Sequence, residues 1–326
     1  MVRSVPIATL ACAGLLACRP SPAAAHAIAG ARVFPVTLTI DDPGVADEAS
    51  LPTFTGTRAG ADGGPGSVHT YTFNGEFDKR ITQRLGLGIS GGYIVQQTGH
   101  DKTRAGFQNL VVAAKYQAYV NAPHEFILSL GVIRELGRTG TLHTGADQYG
   151  STTPTVYFGK GLGDLPIGAL RPLAITGTGG YTIADRKLKG IQQQADAGAM
   201  TLDGALPTLL FNNGAANRWV GGLSVQYSLP YLQQQVRDIG LPGVIGRLVP
   251  LVEVAYSSPA SKPSNLGTQV VFAPGVIYQG DAFQFGMAAL IPANRASGRN
   301  AGVVAQFHVF FDDLFPSSLG KPLLDF

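Results

Sequence analysis

Residues 106–132 read GFQNLVVAAKYQAYVNAPHEFILSLGV. Leu110, Val112, Ala114, Tyr116 and Ala118 share one parity, while Asn109, Lys115 and Gln117 hold the other, with Val111 and Ala113 between them. After a break at Asn121, Ala122 and Pro123 the alternation resumes. Phe126, Leu128, Leu130 and Val132 then share a face, and Glu125, Ser129 and Gly131 share the opposite one. A period of two marks strands, and a short Pro-containing break between two such runs marks a hairpin. Each run is about ten residues, the length a tilted strand needs to cross a bilayer. The stretch therefore predicts one hairpin of a transmembrane β-barrel.

The rest of the chain repeats the pattern, which favours one large closed sheet over the two domains that 326 residues suggest by length alone. Twelve antiparallel strands are predicted, near 52–58, 67–77, 85–96, 106–119, 125–135, 152–161, 170–183, 217–228, 249–257, 268–278, 283–292 and 301–311. Their apolar parity is long and continuous, and the other is mostly Gly, Ser, Thr and Gln. A soluble sandwich shows shorter strands with polar outer faces. Tyr71, Tyr93, Tyr119, Phe126, Tyr181, Trp219, Tyr227, Tyr256, Tyr278 and Phe311 fall near strand ends, where interfacial aromatic girdles belong.

Connection lengths give an orientation. Outer-membrane barrels have short periplasmic turns and longer outside loops. With the N-terminus inside, Asp78–Arg84, Val120–His124, Leu162–Ala169 and Gln279–Ala282 are short and fall on the even positions. Residues 184–216 form a long odd connection, expected outside. The even connection 229–248 is an exception in length, and Tyr231–Ile239 within it reads as a short amphipathic helix under the barrel.

Residues 1–27 read as a secretory signal peptide: Arg3, an apolar run from Val5 to Ala17, and the small-x-small site Ala25-His26-Ala27. Leu15-Leu16-Ala17-Cys18 also resembles a lipoprotein box, but the Ala-His-Ala site is the better cleavage signal. Both cysteines, Cys12 and Cys18, lie in this leader. Residues 28–51 form an N-terminal segment, periplasmic or tucked into the lumen, with Phe34–Ile40 as a candidate short strand and Asp41-Asp42-Pro43-Gly44 as a turn. The barrel is expected over 52–311. The tail 312–326 holds Pro316, Gly320 and Pro322 and reads as periplasmic, hanging free or folding back under the barrel.

Net charge is +3, and only about +1 without Arg3 and Arg19, so no basic face for nucleic acid is implied. Outer-membrane lipid and a small-molecule solute are the expected partners.

Several motifs are declined. Gly86, Gly88 and Gly91 fit a G-x-G-x-x-G spacing, and Gly88, Ser90 and Gly92 fit G-x-S-x-G. A dinucleotide loop or a nucleophile elbow needs a sharp strand-to-helix turn, whereas both lie inside a strand. The glycines read instead as facing a crowded lumen. His69, His100 and His143 are widely spaced rim or loop residues with no cysteine to help, so no metal site is expected. No cofactor and no catalytic residue is expected, and the chain reads as a non-enzyme. If it is a hydrolase, Ser90 is the candidate nucleophile and His308 the one strand histidine on a polar face that can serve as its base.

The lumen-facing parity carries few charges: Glu76, Lys115, Glu253 and His308. A sparse lumen suits neutral or moderately apolar solutes better than ions, and equally suits a lumen plugged by the N-terminal segment. Glu76, Lys115 and Glu253 neutralise one another if they lie at similar depth.

Asn109-Leu110 through Ala114-Lys115-Tyr116, then His124-Glu125-Phe126 and Gly131, together with the hairpin from Ile81 to Ile89, resemble outer-membrane proteins labelled as MetA-pathway phenol-degradation proteins, often called transporters. The likeness spans most of the chain as a pattern, through short motifs. It implies an outer-membrane β-barrel of a Gram-negative bacterium with a channel or uptake role and no agreed catalytic residues. Three functions follow as expectations: passage of small neutral or aromatic molecules, a structural or adhesion barrel with a plugged lumen, or a barrel hydrolase using Ser90.

Overall fold

A computed structural model describes residues 27–59, 67–98, 103–185, 202–203, 210–211, 217–260 and 267–324. The leader with Cys12 and Cys18, His100, most of the 184–216 connection and Phe326 lie outside the described residues.

The chain opens with a small hairpin, β1 (Ala27–Ala29) against β2 (Arg32–Phe34). The barrel strands follow: β3 (Glu48–Ala59), β4 (Val68–Arg80), β5 (Leu85–Thr98), β6 (Arg104–Phe107), β7 (Leu110–Asn121), β8 (Phe126–Leu136), β9 (Ser151–Gly161) and β10 (Leu173–Ala184). A two-residue pair, β11 (Leu202–Asp203) and β12 (Leu210–Phe211), precedes β13 (Arg218–Tyr227). The last four are β14 (Leu248–Pro259), β15 (Gln269–Gln279), β16 (Phe283–Pro292) and β17 (Gly302–Phe310). Neighbours in sequence are neighbours in the sheet, all antiparallel, and β17 pairs with β3 to close the ring. Both β6 and β7 pair with β5, on different halves of it, so together they make one stave of a twelve-stranded barrel.

Closure is what the bilayer demands, since hydrocarbon offers an open edge no hydrogen-bond partner. No helix among the described residues is long and apolar enough to cross a membrane. Alternation sets the two faces: Leu87, Ile89, Leu130, Val132, Leu223 and Val225 are 42–50 % exposed on the outside, whereas Ser129, Thr176, Ser224 and Gln226 are buried inside. Ring pairs such as Tyr93–Phe107, Tyr119–Phe126, Tyr181–Trp219 and Tyr278–Phe283 lie near strand ends, as the sequence predicts.

Four details differ from the sequence reading. The weak first strand begins earlier, at Glu48, because Glu48 and Ala49 already pair with both β4 and β17. Residues 106–119 are not one continuous strand. The chain steps between β6 and β7, where the Gln108 amide donates to the Gly92 carbonyl at 2.8 Å. A bulge between Gln117 and Tyr119 then shifts the register, and Tyr119 becomes outward-facing, 52 % exposed. Phe34–Ile40 forms no strand beyond Phe34, because a wall carboxylate, Glu253, takes the Leu38 and Thr39 amides. The last strand ends at Phe310, and Phe311 opens a short helical turn, Phe311–Leu314.

The short connections lie at one end with both termini of the barrel. The 228–247 connection holds two short helical turns, Leu229–Tyr231 and Leu232–Val236, where an amphipathic helix is predicted. The C-terminal tail folds back under this end: the Leu323 and Leu324 amides donate to the Arg80 and Ile81 carbonyls.

Leu130 lies mid-strand on the lipid face of β8, so Leu130→Arg is expected to destabilise the folded barrel by about 2–4 kcal/mol in denaturant titrations in lipid vesicles. A change below about 0.5 kcal/mol would place this face away from lipid.

Candidate functional site: the occupied lumen

The segment 35–47 enters the barrel from the short-turn end, rises into the lumen and returns to start β3. Val36, Leu38, Ile40 and Ala46 are buried, and so are Thr37, Thr39, Asp41, Asp42 and Asp47. The wall supplies an apolar patch on one side: Leu38 and Ile40 cluster with Ala255, Val271, Ala273, Ala288, Leu290 and Val304 of β14–β17. Burying two such side chains contributes about 1.5–3 kcal/mol each. Glycines make the room. A Cβ on Gly286 would lie 2.6 Å from Leu38 Cδ2, and one on Gly222 would lie 2.5 Å from Ile40 Cγ2. A Cβ on Gly86 would lie 3.1 Å from Val45, so that glycine faces crowded space inside a strand.

Polar anchors fix the loop. Glu253 of β14 accepts from the Leu38 amide at 3.0 Å, from the Thr39 amide at 2.7 Å, and from the Thr39 hydroxyl. Lys115 of β7 reaches across from the other wall to Asp41 Oδ1 at 2.8 Å and to the Asp42 carbonyl at 3.0 Å, with its ammonium 4.8 Å from the Tyr157 ring centre. Ser129 donates to the Pro43 carbonyl at 2.6 Å. The Asp42 carboxylate folds back to accept from the Gly44 amide at 2.6 Å, which shapes the turn read in the sequence.

At the short-turn end two ionic clusters hold the loop's feet. Arg32 of β2 is fully buried; its Nε donates to Glu125 at 3.1 Å, and its Nη groups donate to the Pro172 and Arg171 carbonyls. Its guanidinium stacks over Tyr231, 3.6 Å from the ring centre, and the Tyr231 hydroxyl donates to Glu125 at 2.6 Å. At the other foot Asp47 accepts from Lys79 and from Arg80, whose Nη2 also donates to Asp312 at 2.7 Å. Burial and the adjoining Asp47 carboxylate push the Asp312 carboxyl up to about 7. Asp47 is held below the ordinary carboxylate range: burial opposes this, but hydrogen bonds from Lys79, Asp312 and Arg80 outweigh it. A cavity of about 450 Å³ also opens at this end, lined by Ala31, Val33, Tyr231, Gln233, Arg247 and Asp281 among others.

Glu253 and Lys115 both contact the inserted loop, and neither pairs with the other or with Glu76. Glu76 sits in the ladder between Ser50 and Ser90, and its side chain hydrogen-bonds to no described residue. His308 is buried between Ser50, with Oγ 2.8 Å from Nδ1, and Glu48, with Oε2 3.0 Å from Nε2. Ser90 is buried and its hydroxyl has no partner, so His308 serves other groups. His69 lies on β4 and His143 in a short turn, Leu142–Thr144; no three metal-ligating side chains converge among the described residues.

Sequence reasoning missed Asp41, Asp42, Asp47, Arg80, Asp312, Arg32 and Glu125. A signal for the occupied lumen exists in β14–β17, where both parities are apolar: Val271, Ala273, Leu290 and Val304 face inward while Phe272, Ile291 and Val303 face out. Strands apolar on both faces are covered on both.

No family model and no curated protein matches the sequence. Among solved structures, the chain is similar to an outer membrane channel from Pseudomonas putida F1, at 12 % identity and TM-score 0.50, over 86 % of this chain and 100 % of that one. It is also similar to the KdgM porin, at 9 % identity and TM-score 0.43, over 81 % and 99 % of the two chains. The β domain of the Bordetella autotransporter BrkA matches at 14 % identity and TM-score 0.43, over 82 % and 100 %. The fold is that of a Gram-negative outer-membrane β-barrel.

Glu253→Ala removes the acceptor for three donors, and hydrogen bonds to a charged group are worth about 1.5–3 kcal/mol each. A cysteine replacing Leu38 is expected to react with a water-soluble maleimide at least about tenfold faster in that background. Equal labelling rates would mean that Glu253 does not hold the loop.

With its carboxyl raised to about 7, Asp312 in the folded protein keeps a proton that the unfolded chain releases near 4. Its stabilising contribution is present in full below about 4 and is lost as pH rises through about 7. Stability is therefore expected to fall between about pH 4 and 7, and Asp312→Asn to flatten that slope. A variant that keeps the wild-type slope would assign the titration to another group.

Proposed function

We propose that the protein is an outer-membrane channel for small solutes, neutral or aromatic, with a bore narrowed by residues 35–47. The observation that carries this is the polar parity of the inner face. Thr70, Thr72, Thr176, Ser224 and Gln226 line it with hydroxyls and amides, while the outer face is apolar. Such a wall exchanges hydrogen bonds with an uncharged polar solute. An outer membrane channel among the proteins of this fold supports the reading.

A structural or adhesive barrel is the second reading, and the same inserted loop favours it, since Leu38 and Ile40 are packed into the wall like core residues. A hydrolase built on Ser90 has less support, because His308 already bonds Ser50 and Glu48.

Liposome swelling separates these readings. Purified protein is expected to speed swelling in small neutral solutes more than in salts, and Glu253→Ala to speed it further by loosening the loop. Absence of flux for every solute in both proteins would leave the plugged structural barrel as the better reading.

A further inference from the structure

The interior compensates its buried cations with carboxylates: Arg32 with Glu125, Arg80 with Asp47 and Asp312, and Lys115 with Asp41. Arg218 breaks this rule. It opens β13 at the long-loop end, faces inward and is only 2 % exposed. Its partners among the described residues are all neutral. Nε donates to Ser257 Oγ at 2.6 Å, and Nη2 donates to the Ser257 carbonyl and to Gln269 Oε1, each at 3.3 Å. Nη1, with two N–H groups, has no acceptor among the described residues. Two carboxylates near this end are otherwise engaged: Glu135 accepts from Asn109 and Ser151, and Asp185 pairs with Arg134.

A buried guanidinium without a counter-charge is costly, and a buried donor with no acceptor in the protein calls for a water or an ion as its partner. The surroundings also set its orientation. Gln269 donates through Nε2 to the Ala296 carbonyl, which turns its Oε1 toward Arg218. Ser257 holds the Nε side. The guanidinium is thereby clamped along one edge, and the Nη1 side is left for a ligand. Nε and both Nη2 N–H groups are engaged, so an anion meets the two N–H groups of Nη1, and a carboxylate oxygen accepts such charge-assisted hydrogen bonds at short range. Asp41, Asp42, Glu48 and Glu76 lie deeper, toward the short-turn end, so the positive group is met first from the long-loop side.

We propose that Arg218 is the recognition group of an anion subsite at the outer end of the lumen, taking the carboxylate of a small organic acid. This names a solute class for the proposed channel and rests on that reading, while the binding itself is measurable without conduction.

The test uses the full-length protein folded in detergent micelles, with the thermal unfolding midpoint read from its heat-modifiable gel mobility. Sodium acetate is titrated against acetamide, its uncharged isostere, and against sodium chloride and sodium phosphate at matched ionic strength. A ligand that binds only the folded state raises the midpoint. Acetate is expected to raise it and acetamide not. Arg218→Gln is expected to weaken the acetate response about tenfold or more, and Arg218→Lys, which keeps the charge without the planar guanidinium, to fall between.

Equal responses to acetate and acetamide, or an unchanged acetate response in Arg218→Gln, would overturn the subsite. Phosphate or chloride acting as strongly as acetate would overturn the carboxylate assignment. If Arg218→Gln fails to fold, the wild-type comparison and Arg218→Lys decide. Failure of the channel reading looks different: no solute flux in liposomes, with the acetate-dependent midpoint intact.

Discussion

Hydrocarbon supplies no partner for a backbone N–H or C=O, and that constraint governs the whole molecule. The ladder must close, so β3 has to meet β17, and it does so through a register shift between Gln306 and His308. A second shift, between Ser50 and Thr53 on the β4 side, lies in the same few residues. Bulges of this kind increase local twist and re-aim side chains. Here they accompany an inward cluster of Glu48, Ser50 and His308, which satisfies one another's polar groups at the seam.

A twelve-stranded ring encloses more space than its own side chains fill, and the chain deals with this by turning its N-terminal segment inward. The loop is held by two kinds of force. Apolar contact with β14–β17 buries Leu38 and Ile40, and Glu253, Lys115 and Ser129 set position and register through hydrogen bonds to backbone and to Asp41. The two feet are locked by buried ion clusters around Arg32 and Arg80, which fix where the chain enters the bore and where it joins β3. A mobile loop in the same place would need neither glycine clearance at Gly286 and Gly222 nor a carboxylate dedicated to two consecutive amides.

Charge is distributed accordingly. Toward the short-turn end, the cations meet acids and hold the architecture together. At the long-loop end Arg218 stands among hydroxyl and amide groups. The same residue type thus does two jobs, and the difference lies in what surrounds each guanidinium.

Strand number, the position of nearly every strand and the lipid-facing parity were legible in the sequence, because period-two alternation is a local property of the chain and a bilayer leaves it no freedom. Lys115, Glu253 and His308 were legible as inward residues for the same reason. Their partners were not. Asp41 lies 74 positions from Lys115, and Thr39 lies 214 from Glu253. No local pattern encodes contacts that form only once the ring has closed. Tyr119 shows the limit from the other side: one extra residue at a bulge reversed the face that simple alternation assigns it. The sequence by itself determined a closed transmembrane barrel, since each strand carries its own two-faced pattern. Only the tertiary structure decided that the bore is occupied, by which segment, and which wall residues hold it there. Those depend on the distances across the lumen, and the chain sets them only by folding.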